Sequence, residues 1–152
     1  MAVGSYGDSF TSSHNYAELY FHSTSLWNTQ SSYNFHESIH AFQIVAYSSY
    51  FILFGGRYRP SRGDSETDVI AKFDPSQNQW SQIGKLQASR HAFGMIEVDS
   101  KYLVMGGEDD KPTEICEMKN KKIECISREP IMTEFRYFPA MMIVSSNFTN
   151  NC

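Results

Sequence analysis

The chain has 152 residues, 41% of them hydrophobic and 14% aromatic, which is enough for a single globular core and too apolar for a disordered chain. A net charge of −4 and a pI near 5.7 give no basic face for nucleic acid or an anionic membrane, so no nucleic-acid partner is expected. No apolar run approaches the ~18 residues of a membrane span, and the first residues lack the basic start and apolar stretch of a signal peptide.

In chain order, residues 1–14 read as a polar tail. Residues 15–38 supply two strands, one around Tyr16-Ala17-Glu18-Leu19-Tyr20 and one around Trp27. Four short apolar or alternating runs follow within residues 39–89, at 39–47, 50–54, 68–73 and 79–83, each bounded by turn residues. Ser48-Ser49 turns the first into the second, and Asp74-Pro75-Ser76-Gln77-Asn78 turns the third into the fourth. Residues 90–135 repeat the pattern with runs at 90–98, 102–105, 113–119 and 122–127. Residues 136–145 open another unit with Arg136-Tyr137-Phe138-Pro139, which matches Arg90-His91-Ala92-Phe93, and 146–152 form a polar tail.

The repeat is internal and in register. Gly55-Gly56 and Gly106-Gly107 each close an apolar run and lie 51 residues apart, as do His40-Ala41-Phe42 and His91-Ala92-Phe93. Tyr16 to Trp27 lies over Val69 to Trp80 at an offset of 53. Glycine at these strand ends admits positive φ and close approach of neighbouring backbone. In the second unit Met118 stands in the place of Phe73, and Cys125 in that of Trp80. A period near 50 with a Gly-Gly strand end, then an aromatic and a Trp seven residues on, is the pattern of a four-stranded propeller blade. It resembles the kelch repeat over roughly residues 15–145. The resemblance implies an all-β, kelch-type β-propeller that is incomplete, with two full blades (39–89 and 90–135) and two partial ones (15–38 and 136–145). Gly55, Gly56, Gly106, Gly107, Trp27, Phe73 and Trp80 are then structural residues. Propellers close with roughly 4–8 blades, so the remaining blades are expected from a longer parent chain or from an oligomeric partner.

Function is less constrained. His36-Glu37-Ser38-Ile39-His40 matches the H-E-x-x-H pattern of zinc hydrolases, which needs both histidines on one helical turn. Here His40 is the repeat-mate of His91 at a strand start, and in a strand the two imidazoles would lie ~13 Å apart. No nucleophile triad or phosphate loop is visible, and neither enzyme activity, metal nor cofactor is expected; the alternatives are a zinc-dependent hydrolase through His36, Glu37 and His40, and a degenerate propeller fragment without independent activity. The connection 57–67 carries Arg57, Tyr58, Arg59 and Arg62 in an otherwise acidic domain, on a long loop of the kind that carries binding residues. The resemblance places Arg90 beside this cluster and Glu108-Asp109-Asp110-Lys111 on the same face. These side chains read as a site for a charged peptide or protein, because guanidinium groups fork onto carboxylates. Kelch repeats are common in ubiquitin-ligase adaptors and in extracellular proteins, and the resemblance therefore implies an interaction module. Arg62-Gly63-Asp64 spells an adhesion tripeptide, and Asn147-Phe148-Thr149 a glycosylation acceptor. Cys116 and Cys125 flank a hairpin centred on Asn120-Lys121. They face each other either as a cross-strand disulfide or as a reduced apolar pair, with Cys152 left over. Together the acceptor tripeptide and the cysteines lean toward an extracellular chain.

Overall fold

The computed structural model describes residues 2–6, 14–29, 39–58, 65–107, 111–128, 139 and 141, and within them the chain is all-β, without helix. The strands in chain order are β1 (Ala2–Tyr6), β2 (His14–Phe21), β3 (Leu26–Thr29), β4 (Ile39–His40), β5 (Gln43–Tyr47), β6 (Tyr50–Phe54) and β7 (Arg57–Tyr58). They continue with β8 (Ser65–Glu66), β9 (Val69–Asp74), β10 (Gln79–Lys85), β11 (Gly94–Val98), β12 (Lys101–Met105), β13 (Thr113–Lys119) and β14 (Lys122–Arg128).

Two antiparallel meanders dominate. The first runs β5-β6-β9-β10 and the second β11-β12-β13-β14, and one parallel bridge between Gly84 and Ile123 joins their last strands into an eight-stranded sheet. The bridge is tight: a Cβ on Gly84 would meet the Ile123 carbonyl oxygen at 2.4 Å. The first strands also meet. Ala92 N donates to Ala41 O at 2.8 Å, and Gln43 Nε2 donates to Phe93 O at 2.7 Å, so the sheet is nearly closed and barrel-like. Ala41 and Ala92, 51 residues apart, thus bond to each other, and both take positive φ (51° and 52°). That kink splits the strand expected over 39–47 into β4 and β5.

Turn chemistry fixes the registers. Asp99-Ser100 and Asn120-Lys121 have positive φ at both central residues, the geometry that matches the twist of flanking strands. Asp74 Oδ1 accepts hydrogen bonds from the backbone and hydroxyl of Ser76, at 2.9 and 2.6 Å, and closes the turn between β9 and β10. Gly55, at φ +53°, lies so close to the next unit that a Cβ would meet Arg90 O at 2.7 Å.

The main core lies between the two meanders, where Ile52, Phe54 and Ile70 of the first face Tyr102, Val104 and Cys116 of the second. The rings of Phe54 and Tyr102 pack edge to face at 5.1 Å. Each such side chain, removed from water, contributes roughly 1.5–3 kcal/mol. On its other face the first meander buries Leu53 and Ala71 with Ile39, and Phe42, Val69 and Trp80 pack against them. Phe73, fully buried, contacts Trp80 directly across the strands at 5.1 Å between ring centroids.

Beside the eight-stranded sheet lie two three-stranded ones, β4-β7-β8 and β1-β2-β3, and the latter departs from the expectation of a polar tail over 1–14, because Ala2–Tyr6 pairs with β2 in an antiparallel register. In it Tyr20 faces Trp27 at 5.3 Å, the same cross-strand pair as Phe73 and Trp80. Trp27, expected in the structural core, is nevertheless 55% exposed, because no layer among the described residues covers that face.

The register also corrects the reading of the second unit. Leu53 pairs with Ala71 and Val104 with Glu114, which makes Cys116, not Met118, the counterpart of Phe73. Cys116 and Cys125 are directly opposed on β13 and β14 and their sulfurs are bonded at 2.08 Å. A disulfide thus occupies the place that an aromatic pair holds in the two preceding sheets.

Candidate functional site

At the C-terminal end of β6 the glycine pair turns the chain out of the meander into the arm β7–β8, where Arg57 pairs with Glu66 and Tyr58 with Ser65. The arm is held at its base by the next unit. Gly56 N donates to Arg90 O at 2.8 Å, Thr67 N to Gly56 O at 3.0 Å and Arg90 N to Thr67 O at 3.3 Å. The backbone of Arg90 is therefore inserted between the two ends of the arm.

The side chain of Arg90 does not reach the surface, contrary to its expected role in partner binding. It is fully buried. Its Nη1 donates to Gly106 O at 3.2 Å, and its Nη2 donates to Pro112 O at 2.7 Å and to Glu114 Oε1 at 2.8 Å. Glu114, also at 0% exposure, accepts from Gln87 N at 2.7 Å and Ala88 N at 3.1 Å. Burial draws the Arg90 pKa down, while Glu114 and more distantly Glu66 push it back up. Without those carboxylates a buried guanidinium would be strongly unfavourable. The pair is structural: it pins the second unit's glycine turn and the stretch before β11 to β13.

What the fold does bring to this face is a half-buried cluster across two loops. Glu66, from the arm of the first unit, meets His91 Nδ1 at 2.5 Å through one carboxylate oxygen and Lys111 Nζ through the other. Desolvation works against the Glu66 carboxylate, but hydrogen bonds from Lys111 and His91 outweigh it and hold its pKa below the ordinary 4.5. Lys111 belongs to the connection after β12, so strand β8 and the stretch just before β13 are tied side by side. Arg57 and Tyr58 are half-buried in β7. Arg59, Arg62, the tripeptide Arg62-Gly63-Asp64 and the acidic residues 108–110 lie outside the described residues, as do Asn147-Phe148-Thr149 and Cys152.

Metal chemistry gains nothing from the geometry. His40 is in strand β4, paired with Arg57, and the rest of the H-E-x-x-H stretch except Ile39 lies outside the described residues. Glu114 lies within 4.8 Å of both Cys116 and Cys125 sulfurs, but the sulfurs are bonded to each other and the carboxylate is taken by Arg90 and two backbone amides. No described helix is long and apolar enough to cross a membrane.

Sequence reasoning placed Lys111 on this face but missed Glu66, His91 and Glu114 as interacting groups. A signal for the buried pair was present. Arg90 lies 51 residues after Ile39, and Glu114 takes the register position of Ala71, so two positions that pack together in one unit change together from apolar to opposite charges in the next.

No protein-family model matches the chain, and no curated protein matches it. Among solved structures it is similar to YjhT, with a TM-score of 0.69 at 12% sequence identity over 88% of this chain. At that identity the likeness concerns fold alone. The chain spans about half, 48%, of the length of that structure.

Proposed function

We propose that the chain is part of a kelch-type β-propeller and acts as a protein-interaction module rather than an enzyme, gripping a charged peptide segment on the face formed by the arm 57–67 and the connection 108–112. The reading is supported by the 51-residue repeat, by the two four-stranded meanders and by the recurrent cross-strand pair at Tyr20–Trp27 and Phe73–Trp80.

One observation carries the choice of face. Glu66 binds both His91 and Lys111, so the only carboxylate of the arm's β8 strand is consumed in joining the two loops. The first of the joined connections carries Arg57, Arg59 and Arg62 in its sequence and the second Glu108, Asp109 and Asp110, so together they supply both signs of charge. A peptide carrying both signs in the opposite order would pair with both, and charge-assisted bonds of that kind are the strong ones. Arg90 contributes indirectly, by holding the base of the arm.

The test is binding of a peptide library of mixed charge, followed by titration of the best binder against Arg59→Ala and Arg62→Ala. Each substitution is expected to weaken binding by roughly 1–3 kcal/mol with no change in thermal stability. Unchanged affinity in both variants would remove this face from consideration.

A further inference from the structure

We propose that the Cys116–Cys125 disulfide is a redox-sensitive latch on the arm β7–β8: while it is closed the base of the arm is clamped, and its reduction to two thiols lets that base open. The inference concerns the arm itself and does not rest on the peptide-binding reading.

Two departures of the second meander from the first are neighbours in space. Cys116 and Cys125 take the place of the pair Phe73–Trp80, and Glu114, in the place of Ala71, lies two residues before Cys116 on the same face of β13. The Glu114 carboxylate and both sulfurs lie within 4.8 Å of one another. The stretch that joins the two meanders is held by both strands of this hairpin at once. From β13, the carboxylate of Glu114 accepts from Gln87 N at 2.7 Å and from Ala88 N at 3.1 Å. From β14, the carbonyl oxygen of Cys125 accepts from Gln87 Nε2 at 2.8 Å. Gln87 is thus bonded through its backbone to one strand and through its side chain to the other. Both bonds can be made together only while the strands keep their spacing at Cys116 and Cys125. Three residues on, Arg90 carries the restraint into the arm, since its side chain is held by Glu114 while its backbone accepts from Gly56 N and donates to Thr67 O.

Reduction changes that spacing. A thiolate of an external dithiol attacks one sulfur and the Sγ–Sγ bond breaks; with two electrons and two protons transferred, both cysteines end as thiols and the reductant as a disulfide. Two unbonded sulfurs need more room than a bonded pair, and a core at native packing density has none to spare. Cys116 is fully buried and paired with the equally buried Tyr102 of β12, so the partner that yields is Cys125. Its strand is held less firmly, because beyond β13 the described residues join β14 only through the single bridge Gly84–Ile123. Cys125 is also the more exposed cysteine, 6% against 0%, which sets it on the path of the reductant. As β14 shifts, Gln87 loses one of its two bonds and the restraint on Arg90 weakens. The first unit has no such device, because Ile39, Ala71 and an aromatic pair occupy the corresponding places.

The test is hydrogen exchange of the whole chain by NMR, before and after reduction with dithiothreitol, read at the amides of Gly56, Thr67 and Arg90. Local opening rather than global unfolding governs the exchange of amides at the base of an arm. Reduction is expected to speed the three by roughly tenfold or more. In Gln87→Ala, an exposed position whose loss cuts the link to β14 and leaves the disulfide in place, reduction is expected to change them by less than about twofold. Unchanged exchange at the three amides of the unaltered chain would overturn the proposal. So would an acceleration that persists undiminished in Gln87→Ala, because the disulfide would then act through general stability alone.

Discussion

Arg90 and Glu114 occupy the places of Ile39 and Ala71, and the exchange illustrates how one fold position accepts two chemistries. One is satisfied by apolar contact and the other by an ion pair whose carboxylate also caps two backbone amides, while Arg90 Nε is left without a hydrogen-bond partner among the described residues. Tyr102 is less well served. Its hydroxyl is buried without a hydrogen-bond partner among the described residues, and burial, with smaller effects from Glu97 and Tyr47, pushes its pKa up to about 12. The first unit has Phe51 at the equivalent position, 51 residues earlier. Tyr102→Phe is therefore expected to leave stability unchanged or raise it by up to about 1 kcal/mol in chemical denaturation, and a clear loss would mean the hydroxyl has a partner. Glu66 makes the opposite kind of case. Its pKa is lowered in the folded state, so it contributes stability above its unfolded value of 4.5, and that contribution is lost as pH falls through the folded pKa. The acid limb of the melting temperature against pH is expected to flatten in Glu66→Gln; an unchanged limb would deny the cluster a stabilising role.

At the level of single elements, the hairpin β13–β14 replaces an aromatic pair with a covalent one. Cys116 and Cys125 are nine residues apart, and closing so short a loop is worth about 2–3 kcal/mol. Reduction by dithiothreitol, or Cys116→Ser with Cys125→Ser, is expected to lower stability by that amount, while Cys116→Phe with Cys125→Trp should recover part of it. Identical melting curves in oxidised and reduced samples would contradict this. Strands β6 and β13 and the glycine and asparagine turns were legible in the sequence because period, turn residue and apolar run agree there. β1 was not, since Ala2-Val3-Gly4-Ser5-Tyr6 shows little apolar alternation and takes its strand form through pairing with β2. The break at Ala41 was hidden as well, because alanine gives no sign of a positive φ. Met118 for Phe73 was a slip of two residues, an error that alternation along a strand cannot reveal.

For the molecule as a whole, the sequence carries the repeat but not the environment of each charge. Arg90 reads as a surface arginine beside a basic loop, and only the backbone bonds from Gly56 and Thr67 show that its side chain must turn inward toward Gly106 and Glu114. The central claim is that the two meanders are equivalent units, matched position by position across the core. It is tested most directly by exchanging one matched set, with thermal and urea unfolding measured for Glu114→Ala, Arg90→Ile and the two together. Glu114→Ala alone is expected to cost about 3–5 kcal/mol by stranding a buried guanidinium. The double substitution, which installs the first unit's own residues, should return to within about 1 kcal/mol of the unaltered chain. A double variant as unstable as the sum of the singles would contradict the equivalence.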